Sequence, residues 1–288
     1  MRAFHIFRSL LTRNGWTPSV AIIVAVGLIA NPIELSEGDL GYPLSGYNLN
    51  AVDYVTVDSR RMRVQAVEEK HAFSIAAKDT YRFETRKNDF GWSGDKKSNN
   101  RRSELIANDA RYYSGEVLWS SFSFVVGPKH VPFDNGKSSH NQITQWHSVD
   151  GDDEGRAPVF DIQLNGGDLL VVTRSDAKGP ATWDVHYRQP RPSDGAQHSV
   201  VVAGLLGRRG HLDVWLDGNQ IVNVDTPIGY YEDDGGQRAL AYPHWGLYQD
   251  NVDHPAIIYH SNIEWGLANL SDRINHPKNV NKPSGGWS

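Results

Sequence analysis

The chain of 288 residues contains no cysteine. Disulfides, thiol nucleophiles and thiolate metal sites are thereby removed together, which suits the cytosol or an export route that makes no use of disulfides. It also lacks a convincing helical face of any length and any repeat with a period of roughly twenty to fifty residues, which sets aside helix bundles and solenoids. Long apolar runs are missing too. The stretch at residues 20–30 (VAIIVAVGLIA) is too short to span a bilayer comfortably. An excess of positive charge is absent: the net charge of -5 argues against a general affinity for nucleic acid or acidic membranes, while leaving room for a local basic cleft.

What the chain has in quantity is 27 Gly, 14 Pro, 9 Trp and 12 Tyr, a mixture that suits many short strands joined by tight turns, with aromatic rings left over for flat ligands such as sugars. With 39% hydrophobic residues it is long enough to bury a large core, and sandwiches of this size commonly form one domain. Arg2, Arg8 and Arg13 precede the apolar run, so residues 1–30 read as an export signal, with an uncleaved membrane anchor or a core strand as the alternatives. A secreted or periplasmic protein is the expectation. Residues 31–50 hold Pro, Gly, Asn and Ser with no period and read as a linker or surface arm, leaving 51–288 as a single domain.

From about residue 52 onward the apolar pattern has mostly period two, the spacing that sends alternate side chains to opposite faces of a sheet. Residues 81–86 (YRFETR) set Tyr81, Phe83 and Thr85 against Arg82, Glu84 and Arg86. Residues 116–126 (EVLWSSFSFVV) and 159–164 (VFDIQL) alternate likewise. Residues 211–224 (HLDVWLDGNQIVNV) form the clearest hairpin, with Asp217-Gly218 as the two-residue turn. An all-β, concanavalin A-like jelly-roll sandwich of two antiparallel sheets with a concave groove follows. Residues 87–100 and 229–237 are turn-rich loops placed to rim that groove.

Three strand-like pieces carry polar residues two apart, hence on one face. In residues 101–106 (RRSELI), Arg102 and Glu104 point one way and Ser103 and Leu105 the other; a structural ion pair is the plain reading. In residues 145–147 (QWH), Gln145 and His147 share a face with Ile143, leaving Thr144 and Trp146 behind. In residues 242–249 (YPHWGLYQ), Tyr242, His244, Gly246 and Tyr248 line up, and Gly246 lets a substrate approach the backbone. A guanidinium, a carboxamide, an imidazole and a phenol on one face are the equipment for removing a proton next to a carboxylate. Arg and Gln stabilise the enolate-like species, while His or Tyr takes the proton and supplies another to the departing oxygen.

Residues 81–106 (YRFETRKNDFGWSGDKKSNNRRSELI) resemble the N-terminal signature of polysaccharide lyases of the heparin lyase I and glucuronan lyase type. The three pieces together are also similar to jelly-roll alginate lyases, whose motifs read Arg-x-Glu-x-Arg, Gln-Ile/Val-His and Tyr-x-Lys-Ala-Gly-x-Tyr-x-Gln. Order and approximate spacing agree from about residue 52 to 266. The resemblance implies that Arg102 and Gln145 neutralise a uronate carboxylate, that His147 is a base or second neutraliser, and that Tyr248 is the acid/base. Ile106 stands in place of the second Arg, Trp146 in place of a small aliphatic residue, His244-Trp245 in place of Lys-Ala, and Gln249 follows Tyr248 directly. These departures favour the glucuronan or heparin lyase side.

Glu104, His244, Arg82, Gln163, Asn165 and Gln249 are further candidates for contacting substrate, with Arg86 and Asp161 as weaker ones. Asp150, Asp152 and Glu154 offer oxygen ligands for a structural calcium, but without a full ligand loop they read as an exposed acidic turn; no catalytic metal or cofactor is expected. The expected partner is an acidic polysaccharide, and nothing calls for nucleic acid, another protein or a second copy. A non-catalytic sugar-binding sandwich is the competing reading, and the three polar pieces favour the enzyme. A glycoside hydrolase on this fold would need paired carboxylates in a Glu-x-Asp-x-x-Glu arrangement, and the chain has none.

Overall fold

The computed structural model describes residues 53–107, 109–128, 130, 141–148, 157–176, 181–230 and 239–287. The apolar run at 20–30, the arm at 31–50, the acidic turn with Asp150, Asp152 and Glu154, and most of the loop at 229–237 lie outside the described residues. Alternating sequence becomes alternating burial in two antiparallel sheets. The first runs β1 (Asp53–Val57), β2 (Arg60–Ala66), β5 (Asn100–Ile106), β15 (Ala239–Asp250), β8 (Asn141–His147), β9 (Phe160–Asn165), β10 (Asp168–Ser175) and β11 (Thr182–Pro190), with the two-residue β6 (Tyr112–Tyr113) on β15. The second runs β14 (Asn219–Asp225), β13 (His211–Leu216), β12 (Gln197–Leu205), β7 (Val117–Val126), β16 (Ala256–Gly266), β4 (Thr80–Thr85) and β3 (Phe73–Ala77).

The core lies between the sheets. Leu105, Trp146, Phe160, Ile162, Trp245 and Leu247 enter it from the first sheet, and Phe83, Phe122, Phe124, Val202 and Val214 from the second. Each is a strand residue whose neighbours point outward, so one face of each sheet is apolar and the other is free for function. The hairpin at Asp217-Gly218 forms as predicted: Leu216 pairs with Asn219, and both turn residues take positive φ, 52° and 79°, as the twist of a two-residue hairpin loop requires.

Two features depart from the sequence reading. The loop at 87–100 contains a short helix, α1 (Ser93–Ser98), ended by Asn99 in the left-handed region; among the described residues α2 (Asp272–Asn275) is the other short helix. Strand β8 carries a bulge: its register against β9 shifts between Gln142 and Thr144. The extra residue turns Ile143 into the core and leaves Gln142 and Gln145, three positions apart, on the outward face. Ile143 therefore does not share a face with Gln145 and His147, because strict alternation fails across a bulge.

Candidate active site

Three adjacent strands at the centre of the first sheet build the site. On β5, Leu105 lies in the core and Ser103 bonds inward to the Ala72 carbonyl, so Arg102 and Glu104 face outward. Strand β15 lies beside it with Tyr248 opposite Arg102, Gly246 opposite Glu104 and His244 opposite Ile106. On its other edge β15 meets β8, with His244 opposite Gln145 and Tyr242 opposite His147. The pairing brings the three polar pieces, scattered over nearly 150 positions of sequence, onto one face.

Glu104 is the hub. Gln145 Nε2 donates to its Oε1 at 2.6 Å, Arg102 Nη1 to its Oε2 at 3.3 Å, and His244 Nδ1 lies 3.5 Å from the same oxygen. Burial opposes its charge, but His244, Arg102 and Gln145 outweigh that and hold its pKa below the ordinary carboxylate value. The plain reading of Arg102 and Glu104 as an ion pair holds, and the pair is part of the site.

Arg102 is more fully engaged than the sequence suggests. Its Nε donates to both carboxylate oxygens of Asp95, at 3.0 and 2.8 Å, and Nη2 donates to Asp95 Oδ1 at 2.7 Å. Nη1 also donates to Gln65 Oε1 at 2.7 Å. Its guanidinium lies 4.4 Å from the centre of the Tyr248 ring. Asp95 and Glu104 outweigh burial and push the guanidinium pKa up, so Arg102 is charged.

The Tyr248 hydroxyl accepts a hydrogen bond from Asn100 Nδ2 at 2.5 Å. Burial pushes the phenol above its ordinary pKa, against the pull of Arg102, Asn100 and Ser98, so it carries its proton at neutral pH. His147 Nδ1 lies 2.8 Å from the Ser148 carbonyl, which only accepts; that nitrogen carries the proton and Nε2 keeps its lone pair. Burial, reinforced by His244, pulls the His147 pKa down to about 4. Its ring stacks on His244 at 5.4 Å and tilts against Tyr242 at 5.6 Å. A neutral imidazole and a protonated phenol thus stand toward opposite ends of one stretch of β15, with Gly246 between them.

Other expectations fare differently. Gln163 is on this face, donating to Asp161 Oδ1 at 2.8 Å, and Arg174 pairs with Asp161 Oδ2 at 2.5 Å. Asn165, half-buried, ends the same row of β9. Arg82 is elsewhere: Tyr81 and Phe83 enter the core, so Arg82 and Glu84 occupy the outward face of the second sheet, where Arg82 and Arg86 both pair with Glu84 at 2.5 Å. Gln249 points inward, next to Leu247 in the alternation, and is tied to Thr85, Arg101 and Asn141. Neither reaches the face holding Tyr248: Arg82 because β4 belongs to the second sheet, and Gln249 because period two turns it inward.

Gly246 is needed by the fold itself. Its φ is 134°, and a Cβ there would meet Ser103 O at 2.2 Å and Glu104 Cα at 2.9 Å, so the neighbouring strand requires it. The sequence reading missed Asp95, Gln65, Asn100 and Gln142. Asp95 and Gln65 are brought to Arg102 from other segments, and Gln142 is turned outward by the bulge in β8.

Residues 45–264 match the family model for polysaccharide lyases. No curated relative matches the chain. Among solved structures the chain is similar to an alginate lyase of polysaccharide lyase family 7, with a TM-score of 0.52 and 17% identity, covering 70% of this chain and 85% of that one. It also matches an endo-β-1,4-glucuronan lyase from the fungus Trichoderma reesei with a TM-score of 0.49 and 16% identity, covering 78% of this chain and 92% of that one. The likeness to the alginate lyase supports the two-sheet jelly roll. Because the family match spans most of the sequence and encloses all three polar strands, the chain belongs to the polysaccharide lyase family and is a carbon–oxygen lyase.

Proposed function

We propose that this chain cleaves a uronic-acid-containing polysaccharide, of the glucuronan, heparin or alginate kind, by β-elimination. The observation that carries the reading is the placement of Arg102, Gln145, His147 and Tyr248 on one outward face of three adjacent strands. A sugar lying across Gly246 has the phenol on one side and the imidazole and carboxamide on the other. His147 Nε2, unprotonated above about pH 4, takes the proton from the carbon beside the carboxylate. Charge then builds on the carboxylate oxygens, where Arg102 and Gln145 stabilise it. The bond from the next ring carbon to the glycosidic oxygen breaks, a carbon–carbon double bond forms, and Tyr248 gives its proton to the departing oxygen.

In this reading the cation and amides perform the neutralisation, so no cofactor takes part in a step. Residues 1–30 support an exported enzyme, because a basic stretch leads into an apolar run of secretory length. Incubation with glucuronan, alginate and heparin, followed by ultraviolet absorbance, tests the chemistry. Elimination leaves a conjugated unsaturated uronate whose absorbance grows with time, whereas hydrolysis yields new reducing ends without it and mere binding yields neither. Saturable binding without turnover would replace the lyase reading with a sugar-binding module.

A further inference from the structure

The two-pronged contact from Arg102 to Asp95 is the geometry that an arginine offers to a substrate carboxylate, and here a carboxylate of the protein's own chain fills it. Asp95 is fully buried and belongs to α1, a helix of six residues, far below the length at which an isolated helix is stable. Its position therefore depends on docking. The roots of the surrounding segment are fixed. Asn251 Nδ2 donates to Asn88 Oδ1 at 2.9 Å and to Asn99 Oδ1 at 3.0 Å, and the Asn88 amide donates to Asn251 Oδ1 at 2.7 Å. Asn88 and Asn99 both have positive φ, 67° and 55°, so the chain turns sharply at each root. Asp89 is fixed as well: its carbonyl accepts from the Arg102 backbone N–H at 3.1 Å, and its carboxylate is held by His71 Nε2 at 2.8 Å and by the Arg86 backbone N–H at 2.6 Å. Beyond it the segment meets the site through Asp95 on Arg102. Trp92, 42% exposed, folds over Gly94 and lies 5.8 Å from the Arg102 guanidinium.

We propose that residues 92–98 form a strap in which Asp95 occupies the seat of the substrate's carboxylate on Arg102 and must be displaced for a sugar to bind. The proposal rests on the lyase reading of the same face and adds a gate to it. Swinging the strap away takes one of its two carboxylate partners from a buried guanidinium, a state that a charged interior disfavours strongly. A ligand that brings its own carboxylate restores the pairing as it enters; a neutral glycan does not. Asp95 is therefore a specificity-determining residue. It admits acidic sugars by exchange of one carboxylate for another and excludes neutral ones.

The test combines Asp95→Asn, which keeps the shape and removes the charge, with Asn251→Ala, which loosens the roots and leaves the fork on Arg102 intact. Amide hydrogen exchange of residues 92–98 is measured in the free proteins, and binding of oligoglucuronate and oligomannuronate by calorimetry. The strap is expected to exchange faster in both variants. Acidic oligosaccharide is expected to bind about tenfold more tightly to Asp95→Asn, the scale of one charged hydrogen-bonding contact. Unchanged strap exchange in both variants, or weaker binding by Asp95→Asn alongside it, would overturn the proposal and make Asp95 a permanent orienting partner of Arg102. Exchange in the free proteins needs no substrate. Failure of every variant to bind or cleave any uronate would sink the lyase reading, while a loosened strap in Asp95→Asn would still show that this contact holds it shut.

Discussion

At the scale of single residues, the proposed chemistry separates into groups that handle protons and groups that handle charge. Tyr248→Phe removes one hydroxyl and leaves the ring under Arg102, so turnover should fall at least a hundredfold, within the range of about 10²–10⁴ for general acid/base groups, with an unchanged unfolding transition. Near-normal turnover would remove Tyr248 from the mechanism. His147 sets the pH profile. It acts as a base only when neutral, and its pKa is about 4, so kcat/KM should stay level from neutrality down to about pH 5 and decline near pH 4. An acid limb near the ordinary histidine value would instead place the base on a group that is not buried. That Arg102 shares a face with Glu104, Gln145 with His147, and Tyr248 with His244 was legible in the sequence from period-two spacing, while their roles came from the resemblance. Arg82 and Gln249 carry equally suitable side chains, and the sheet to which a strand belongs, or the parity of one position, takes them elsewhere.

At the scale of elements, the crossing of β15 with its neighbours decides the site. Gly246 is held at φ 134° against the β5 backbone, so Gly246→Ala should destabilise the protein by at least about 1–3 kcal/mol, the cost of a strained backbone position, with the clash against Ser103 O added to it. Urea unfolding measures this. A variant as stable as the parent would show that β5 and β15 can part without loss. The bulge in β8 is the element-level feature that sequence alternation could not supply. A bulge inserts one residue without any composition signal of its own, and here it swaps Ile143 for Gln142 on the functional face. The helix in the loop at 87–100 escaped notice for a related reason. Its six residues carry no apolar stripe, and its buried member is an aspartate whose partner lies on another strand.

At the scale of the whole molecule, burial of neutral histidines couples stability to pH. His130 and His147 are pulled down to about 4 and His260 to about 3, in each case chiefly by burial. Unfolded, each would take up a proton near its ordinary value of about 6.5. Between these values the unfolded chain binds more protons than the folded one, so the stability they contribute is present above about pH 6.5 and is lost as pH falls toward 4. Tm should decline over that interval. His260 lies against Phe83 and Phe122 in the core, with ring centroids at 5.6 and 5.3 Å, so His260→Phe should flatten the decline. An identical slope of Tm against pH in that variant would exclude His260 as a contributor.

The sequence by itself determined that the described domain is a two-sheet sandwich, since period-two burial and turn chemistry are local properties that survive in any context. It also determined which polar side chains would share a face within each strand, wherever no bulge intervenes. Only the tertiary structure decided which strands became neighbours, and with that the pairing of Tyr248 with Arg102, of His244 with Gln145, and of Arg102 with Asp95. Strand order and loop docking arise from packing between segments far apart in the chain. Even Asp95, only seven positions from Arg102, meets it through the docking of α1, and the residues beside an aspartate do not say which cation it will face.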